Sequence, residues 1–426
     1  MRAITIKLLI SASLSSLMLA TPAVSETLPE AVAAAFATNP QLEIESYRTD
    51  IARENLDLAR SARLPQVNLS ASGGYESVDS NGPFAFNLGE RPIASSQLQA
   101  VQPLYTGGRI SAGIRQAKAG IDAADRGYDA ARQDLVLDVV TSYVDVRRDR
   151  ETVAIRKNNV EVTGEQVRAA EDRFEVGVVT LTDVAQARAR LEGARAALAG
   201  AEAALQGSEA FYEFLTGQRP GDLAAPPPLP PLPASVETAF TDAEANNPTI
   251  LAAREELRAA GAGVDAAKSE GRPQISIVGT AGVQENFGDN SQRDTSVSAV
   301  AQGRIPLFTG GAVKAQVNAA KLQREQARRR VDALETQVRA QVARAWYGYE
   351  ASNRAIEASR RQVEAAQIAY DGAKEELAVG VRTTLDVLDQ EQQLFEAQLA
   401  LVGAERDAYV AAHQLLRAIG GLDTIG

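Results

Sequence analysis

The chain has 426 residues, a net charge of −11, one histidine and no cysteine. Without cysteine there are no disulfides, no thiolate metal sites, no cysteine nucleophile and no lipidated N-terminal cysteine. The acidic balance argues against nucleic acid as a partner, and the length suits two or three ordinary domains or one elongated one.

Residues 1–25 read as a secretory signal peptide. Arg2 and Lys7 give a basic start, "LLISASLSSLMLA" a short apolar core, and "TPAVS" the small residues before a cleavage site near Ser25. Beyond it, no stretch reaches the ~18 consecutive apolar residues of a membrane-spanning helix. The first repeat, 26–217, then reads as helix, two strands, long helix and returning helix. A helix is expected over about 29–62, opened by Thr27 and Glu30 as a capping box and stopped before Pro65. "QVNLSAS" and "SQLQAVQPL" then alternate polar and apolar residues, each close to the ~9–11 residues of a membrane-spanning strand.

"PLYTGGR" follows, with Pro103, Gly107 and Gly108 marking a sharp turn from strand to helix. From Ile110 the apolar positions step by four and three through Ile114, Ala117, Ile121, Ala124, Tyr128, Ala131 and Leu135, a heptad seam. Gly108 to Glu175 holds no proline, so it can form one rod of about 100 Å. After a reversal at "EVGVVTLTDV", capped by Thr180 or Thr182, a second seam runs from Val184 to Leu215. The helices 29–62 and 182–217 together match the long rod in length, so they would lie against it end to end. Residues 218–234 form a proline-rich, extended linker.

The chain then repeats itself over 235–420, leaving 421–426 as a tail. "NNPTI" answers "TNPQL", "RPQISIVGTAGVQE" answers "LPQVNLSASGGYE", and "PLFTGGA", with Pro306, Gly310 and Gly311, answers "PLYTGGR". "AVGVRTTLDV" answers the first reversal, with Thr383 or Thr384 as the cap. The spacing between the copies changes only between about Ser80 and Arg91, which places a surface loop there. "QISIVGTAGV" and "TSVSAVAQGRIPLF" are the second pair of strands.

The fold class is therefore mostly α with a small β part: two copies of long antiparallel helical hairpins, plus four strands per chain. Four strands leave two unpaired edges, and in lipid each unpaired backbone group costs several kcal/mol. Two chains would close a narrow barrel and three a wider one of twelve strands. The alternative is a soluble periplasmic coiled-coil adaptor or structural protein whose strands form hairpins packed on the bundle. An enzyme has little support: His413 lies in an Ala-rich helix, Trp346, Tyr347 and Tyr349 lie mid-helix as packing residues, and no nucleotide loop, metal cluster or catalytic spacing is present, so no cofactor is expected.

Taken together, the two-copy layout, the paired "PLYTGGR" and "PLFTGGA" turns, and the reversals "FEVGVVTLTDV" and "LAVGVRTTLDVLD" resemble the TolC-like outer-membrane efflux proteins from about Leu28 to Gly420. The resemblance implies a homotrimer with a twelve-stranded β-barrel in outer-membrane lipid and an α-barrel tunnel through the periplasm. It also implies a periplasmic adaptor (membrane fusion) protein and an inner-membrane transporter as partners, in a tripartite efflux pump or a type I secretion system. The family's gate lies at the helix reversals, here Val176 to Asp183 and Val379 to Asp389. Its pore-facing aspartates fall on Asp386 and Asp389, its constraining arginine on Arg382, that arginine's first-copy aspartate on Asp183, and its tip glycines on Gly177 and Gly380. Leu377 stands where well-known members carry a tyrosine. Asp386 and Asp389, three apart, share a helix face, so three-fold symmetry would gather six carboxylates at one constriction, favouring protonation or a bound cation. The simpler reading of an aspartate at a helix start is capping.

Overall fold

A computed structural model of the chain describes residues 25–79, 87–287 and 292–422. Most of the expected signal peptide, part of the expected loop at Ser80–Arg91 and the end of the tail lie outside the described residues. The elements run in two similar series. The first is α1 (Leu28–Thr38), α2 (Pro40–Ser61), β1 (Gln66–Asp79), β2 (Asn87–Tyr105), α3 (Arg109–Glu175) and α4 (Leu181–Thr216). The second is α5 (Val236–Asn246), α6 (Pro248–Ser269), β3 (Gln274–Asn286), β4 (Gln292–Arg304), α7 (Ala312–Ala378) and α8 (Thr384–Ile419).

The single helix expected over 29–62 is two helices. Pro40 lacks the N–H that would continue the first, and its fixed φ suits the start of a new one. Asn39 caps that new start, its Oδ1 accepting from the N–H groups of Gln41 at 2.9 Å and Leu42 at 3.3 Å. Asn247 and Pro248 repeat the arrangement between α5 and α6, with Asn247 Oδ1 accepting from Thr249 at 2.9 Å. The "NP" shared by the copies is thus a built-in joint. At the very start, Glu30 accepts from the Thr27 N–H at 2.8 Å, which is the reciprocal half of the capping box.

The four strands form one antiparallel sheet in the order β1-β2-β3-β4. At 14, 19 and 13 residues, β1, β2 and β3 are longer than the alternation suggested, because backbone pairing continues past the alternating core of each; β4, at 13, starts earlier and ends earlier than expected. The register sets Leu69 opposite Leu98 and Leu98 opposite Ala281, which in turn faces Val297. One face of the sheet is therefore the more apolar across its middle, although Val101, Val278 and Val300 line up on the other. The other carries Ser72, Ser95, Gln97, Gln99, Thr280 and Ser298, with hydroxyl pairs Ser72–Ser95 at 2.8 Å and Thr280–Ser298 at 2.7 Å.

Pro103 lies inside β2, where the ladder to β3 shifts register between Pro103 and Tyr105; a proline sits in a sheet only where its missing N–H costs no ladder bond. Pro306 differs, because β4 ends at Arg304 and Ile305 to Phe308 are not strand, contrary to the alternation. Both turns then reach their helices through glycine pairs with positive φ: 65° and 99° at Gly107 and Gly108, 60° and 88° at Gly310 and Gly311.

The helices α3 and α7 each have 67 residues, about 100 Å of rod. Near the sheet, neighbours run α2-α3-α6-α7; at the far end they run α4-α3-α8-α7. The main core lies between these regions, where α1 and α5 and the ends of α4 and α8 pack on the middles of α3 and α7 around Tyr143, Tyr212, Val139, Ile250, Val342 and Leu415. There α3 also grips the segment joining the copies. Tyr143 Oη lies 2.8 Å from the carbonyls of Glu26 and Ala224, and Arg147 Nη1 donates to the Leu223 carbonyl at 2.6 Å. Burial pushes the Tyr143 hydroxyl up to about 12, so it stays protonated as a donor. His413 is buried in this belt against the Tyr409 ring, and burial lowers its pKa.

Candidate functional site

The helical end opposite the sheet carries the two reversals. After α3, Gly177 takes φ +77° and the Val178 N–H reaches back to the Arg173 carbonyl at 2.8 Å; after α7, Gly380 takes φ +78° and the Val381 N–H reaches the Glu376 carbonyl at 2.9 Å. These six-to-one bonds with a left-handed glycine satisfy the last carbonyls of each rod. The flanking valines Val176, Val178, Val379 and Val381 are all more than 70% exposed.

Thr180 and Thr383, not their neighbours, open the returning helices. The Asp183 carboxylate accepts from the Thr180 N–H and hydroxyl, both at 2.8 Å, while Asp386 accepts from the Thr383 N–H at 2.9 Å and hydroxyl at 2.8 Å. These bonds hold both carboxyls below the usual aspartate range, the backbone bond being the larger cause. Asp183 and Asp386 are thus equivalent capping residues, ionised at neutral pH.

Asp389 does something else. It pairs with Arg190 of α4 at 2.5 Å, crossing from the second copy to the first. Arg382 pairs with Glu376, at the end of α7. Arg382 and Asp183 line one cavity of about 560 Å³ between the two reversals, yet each takes a partner from its own hairpin. Leu377 lines the same cavity and brings no hydroxyl to it.

Three groups here escape a reading of the sequence. Arg173 Nη1 donates to Thr384 Oγ1 at 2.9 Å, a second link between the copies. Arg190 links them through Asp389. Glu391, on α8, is buried although its first-copy counterpart, Arg188, is exposed and paired with Glu171. The partners of Arg173 and Arg190 lie about 200 residues away, so no local spacing reveals them. Glu391 hides because the seam from Val387 to Leu394 describes one buried face, whereas α8 packs on both α7 and α3 and buries two.

Among the described residues no helix is long and apolar enough to cross a membrane, and no group of His, Asp and Glu could hold a metal ion. The strand-to-helix turns differ in their surroundings. A Cβ on Gly107 would meet Arg272 Cβ at 2.7 Å and the Ser269 carbonyl at 2.8 Å, whereas none of the described residues lies within 4 Å of one on Gly310. Leu307 and Phe308, beside that second turn, are 93% and 91% exposed.

Comparison with known proteins gives one consistent answer. The chain is 34% identical over 399 residues to the outer membrane efflux protein BepC of Brucella suis, covering 93% of this chain and 86% of that one. It is 28% identical over 419 residues to the outer membrane protein TolC of Escherichia coli, covering 94% and 83%. Its fold matches the CmeC outer membrane channel of Campylobacter jejuni with a TM-score of 0.81 at 20% identity (93% of this chain, 86% of that one). It also matches the outer membrane protein VceC of Vibrio cholerae at 0.78 and 23% (92% and 96%). The profile of the family described as outer membrane efflux protein matches residues 31–218 and 239–421, one segment in each copy, and the chain belongs to that family.

Proposed function

We propose that three copies of this outer-membrane efflux channel close into one duct: a twelve-stranded barrel in the lipid and a twelve-helix tunnel reaching through the periplasm. The observation that carries the reading is the open sheet. Among the described residues, strands β1 and β4 each have one unpaired edge, and one sheet face is the more apolar across its middle. Exposed edges cannot persist in hydrocarbon, and an edge of one chain is complementary to the opposite edge of the next.

The helices support the same closure. In this chain the turn into α3 is covered by the end of α6, with Arg272 Nη1 donating to the Gly107 carbonyl at 2.9 Å. Among the described residues the turn into α7 has no such cover, although α2 is the counterpart of α6. An α2 from a neighbouring copy, set on α7 as α6 sits on α3, would partly cover Leu307 and Phe308 and continue the ring. Three chains leave room for a passage where two would leave a filled barrel.

The duct works as a passive exit, energised by an inner-membrane transporter through a periplasmic adaptor protein. The helical end acts as its gate. Asp389, Arg190, Arg173 and Thr384 hold the two hairpins of one chain together, and Arg382 and Asp183 line the cavity between the reversals. The test is purification in detergent, native mass measurement and reconstitution into a planar lipid bilayer. Expected are a trimer and cation-preferring conductance that rises when Asp389→Asn removes the link to Arg190. A monomeric, water-soluble product without conductance would overturn the reading and favour a periplasmic adaptor.

A further inference from the structure

Two acidic side chains are buried among the described residues, Asp149 and Glu391. Asp149 is satisfied, bound to Arg148 at 2.8 Å and to the Ser208 hydroxyl at 2.7 Å. Glu391 is 3% exposed and neither carboxylate oxygen has a hydrogen-bond partner among the described residues. It lies where the α3/α4 hairpin meets the α7/α8 hairpin, two residues beyond the Arg190–Asp389 pair.

Its surroundings are charged but already engaged. From α4, Arg190 faces it while bound to Asp389. From α7, Lys374 faces it while resting over the Tyr370 ring at 5.3 Å. Tyr370 faces Glu391, Asp371 on its own helix and Glu165 of α3, and those charges, after burial, raise its pKa. From α3, Arg156, Asn159 and Thr163 line a cavity of about 380 Å³ shared with Glu391, Asp389 and Gln392 of α8, and Thr163 Oγ1 is spent on Asn159 at 3.0 Å. Burial of an unsatisfied carboxylate disfavours its charge more than Lys374 and Arg190 favour it, and Glu391 is pushed up to about 7 from 4.5.

We propose that Glu391 is a proton-binding pin in the seam between the two hairpins, protonated while they are packed and released as an anion when they part. Opening the helical end then gives up one proton per chain to solvent. The inference rests on the reading of that end as the gate. The packed state holds the proton more tightly than the parted one, so packing is fully favoured below about 4.5, weakens as the pH rises to about 7, and changes no further above it. Within that window the opening equilibrium rises by at most about tenfold per pH unit per chain.

The chain has no cysteine, so Gln186→Cys on α4 and Gln393→Cys on α8, both exposed, accept spin labels uniquely. Label distances would be measured in the full-length protein in lipid vesicles from pH 5 to 8, beside bilayer conductance over the same range. We expect both to rise with pH in the otherwise unaltered protein. Glu391→Gln and the volume-matched, non-titrating Glu391→Met should hold the acid-form values throughout. Variants that follow the unaltered pH profile, or distances that widen on acidification, would overturn the pin. Absence of conductance at every pH would overturn the channel reading instead, while the label distances still decide the behaviour of the seam.

Discussion

Arg190 and Asp389 lie 199 residues apart in the chain and 2.5 Å apart in space, the shortest bridge between the two copies at the helical end. Both side chains are partly exposed, so the pair is worth roughly 0.2–1 kcal/mol. Arg190→Ala should therefore raise the open probability in a bilayer only a few-fold, more at low salt than at high. The charge swap Arg190→Asp with Asp389→Arg should restore most of the lost closure. A double mutant as leaky as either single one would show that the pair does not hold the hairpins.

Gly380 and Gly420 share a φ of +78° but not an environment. A Cβ on Gly380 meets nothing, whereas one on Gly420 would stand 2.4 Å from the Asn246 carbonyl oxygen and 2.8 Å from Asn247 Cα. Gly380→Ala should cost only the left-handed backbone penalty, roughly 1–2 kcal/mol. Gly420→Ala adds a backbone clash at the joint where Asn247 Nδ2 holds the Ala418 carbonyl at 2.9 Å. Its thermal unfolding midpoint should fall clearly further, and equal midpoints would contradict the packing around α5, α6 and the end of α8.

The same glycines show what the sequence can disclose. Gly107 and Gly310 beside their prolines, and Gly177 and Gly380 ahead of threonine and aspartate, mark the turns and caps at matched positions, because those constraints are local, whereas nothing local marks Gly420. The joint at Asn39–Pro40 is written in "TNP", but apolar residues continue on both sides of it, so the pattern alone predicts one helix. Asp183 and Asp386 had two readings, capping or gating, and within one chain their side chains cap. Arg173, Arg190 and Glu391 could not be found, because their chemistry arises only when two hairpins distant in sequence share a wall.

Phe308 offers a test of assembly that leaves the core of one chain alone. It is 91% exposed beside Leu307, whereas Tyr105, its first-copy counterpart, is 48% exposed. Covering Leu307 and Phe308 only as far as their counterparts Leu104 (58% exposed) and Tyr105 are covered contributes about 1–2 kcal/mol per interface. Phe308→Asp should leave the helical content of the chain unchanged and shift native mass spectra from trimer toward monomer. A fully trimeric Phe308→Asp protein would mean that no neighbouring α2 covers this turn.

The sheet faces can be told apart with one cation. Leu98 stands on the apolar face near the middle of β2, in register with Leu69 and Ala281, while the adjacent Gln97 points to the hydroxyl-rich face opposite Ser70 and Gly282. If the apolar face meets lipid, Leu98→Arg buries a charge in hydrocarbon at roughly 2–4 kcal/mol near the bilayer midplane. Gln97→Arg places the same charge in a water-filled passage at little cost. Leu98→Arg should therefore lower folding yield in vesicles and the temperature at which the oligomer comes apart on a gel. Gln97→Arg should insert normally and shift the conductance toward anions, because three guanidinium groups would line one level of the pore. The opposite pattern would mean that the hydroxyl-rich face is turned toward lipid.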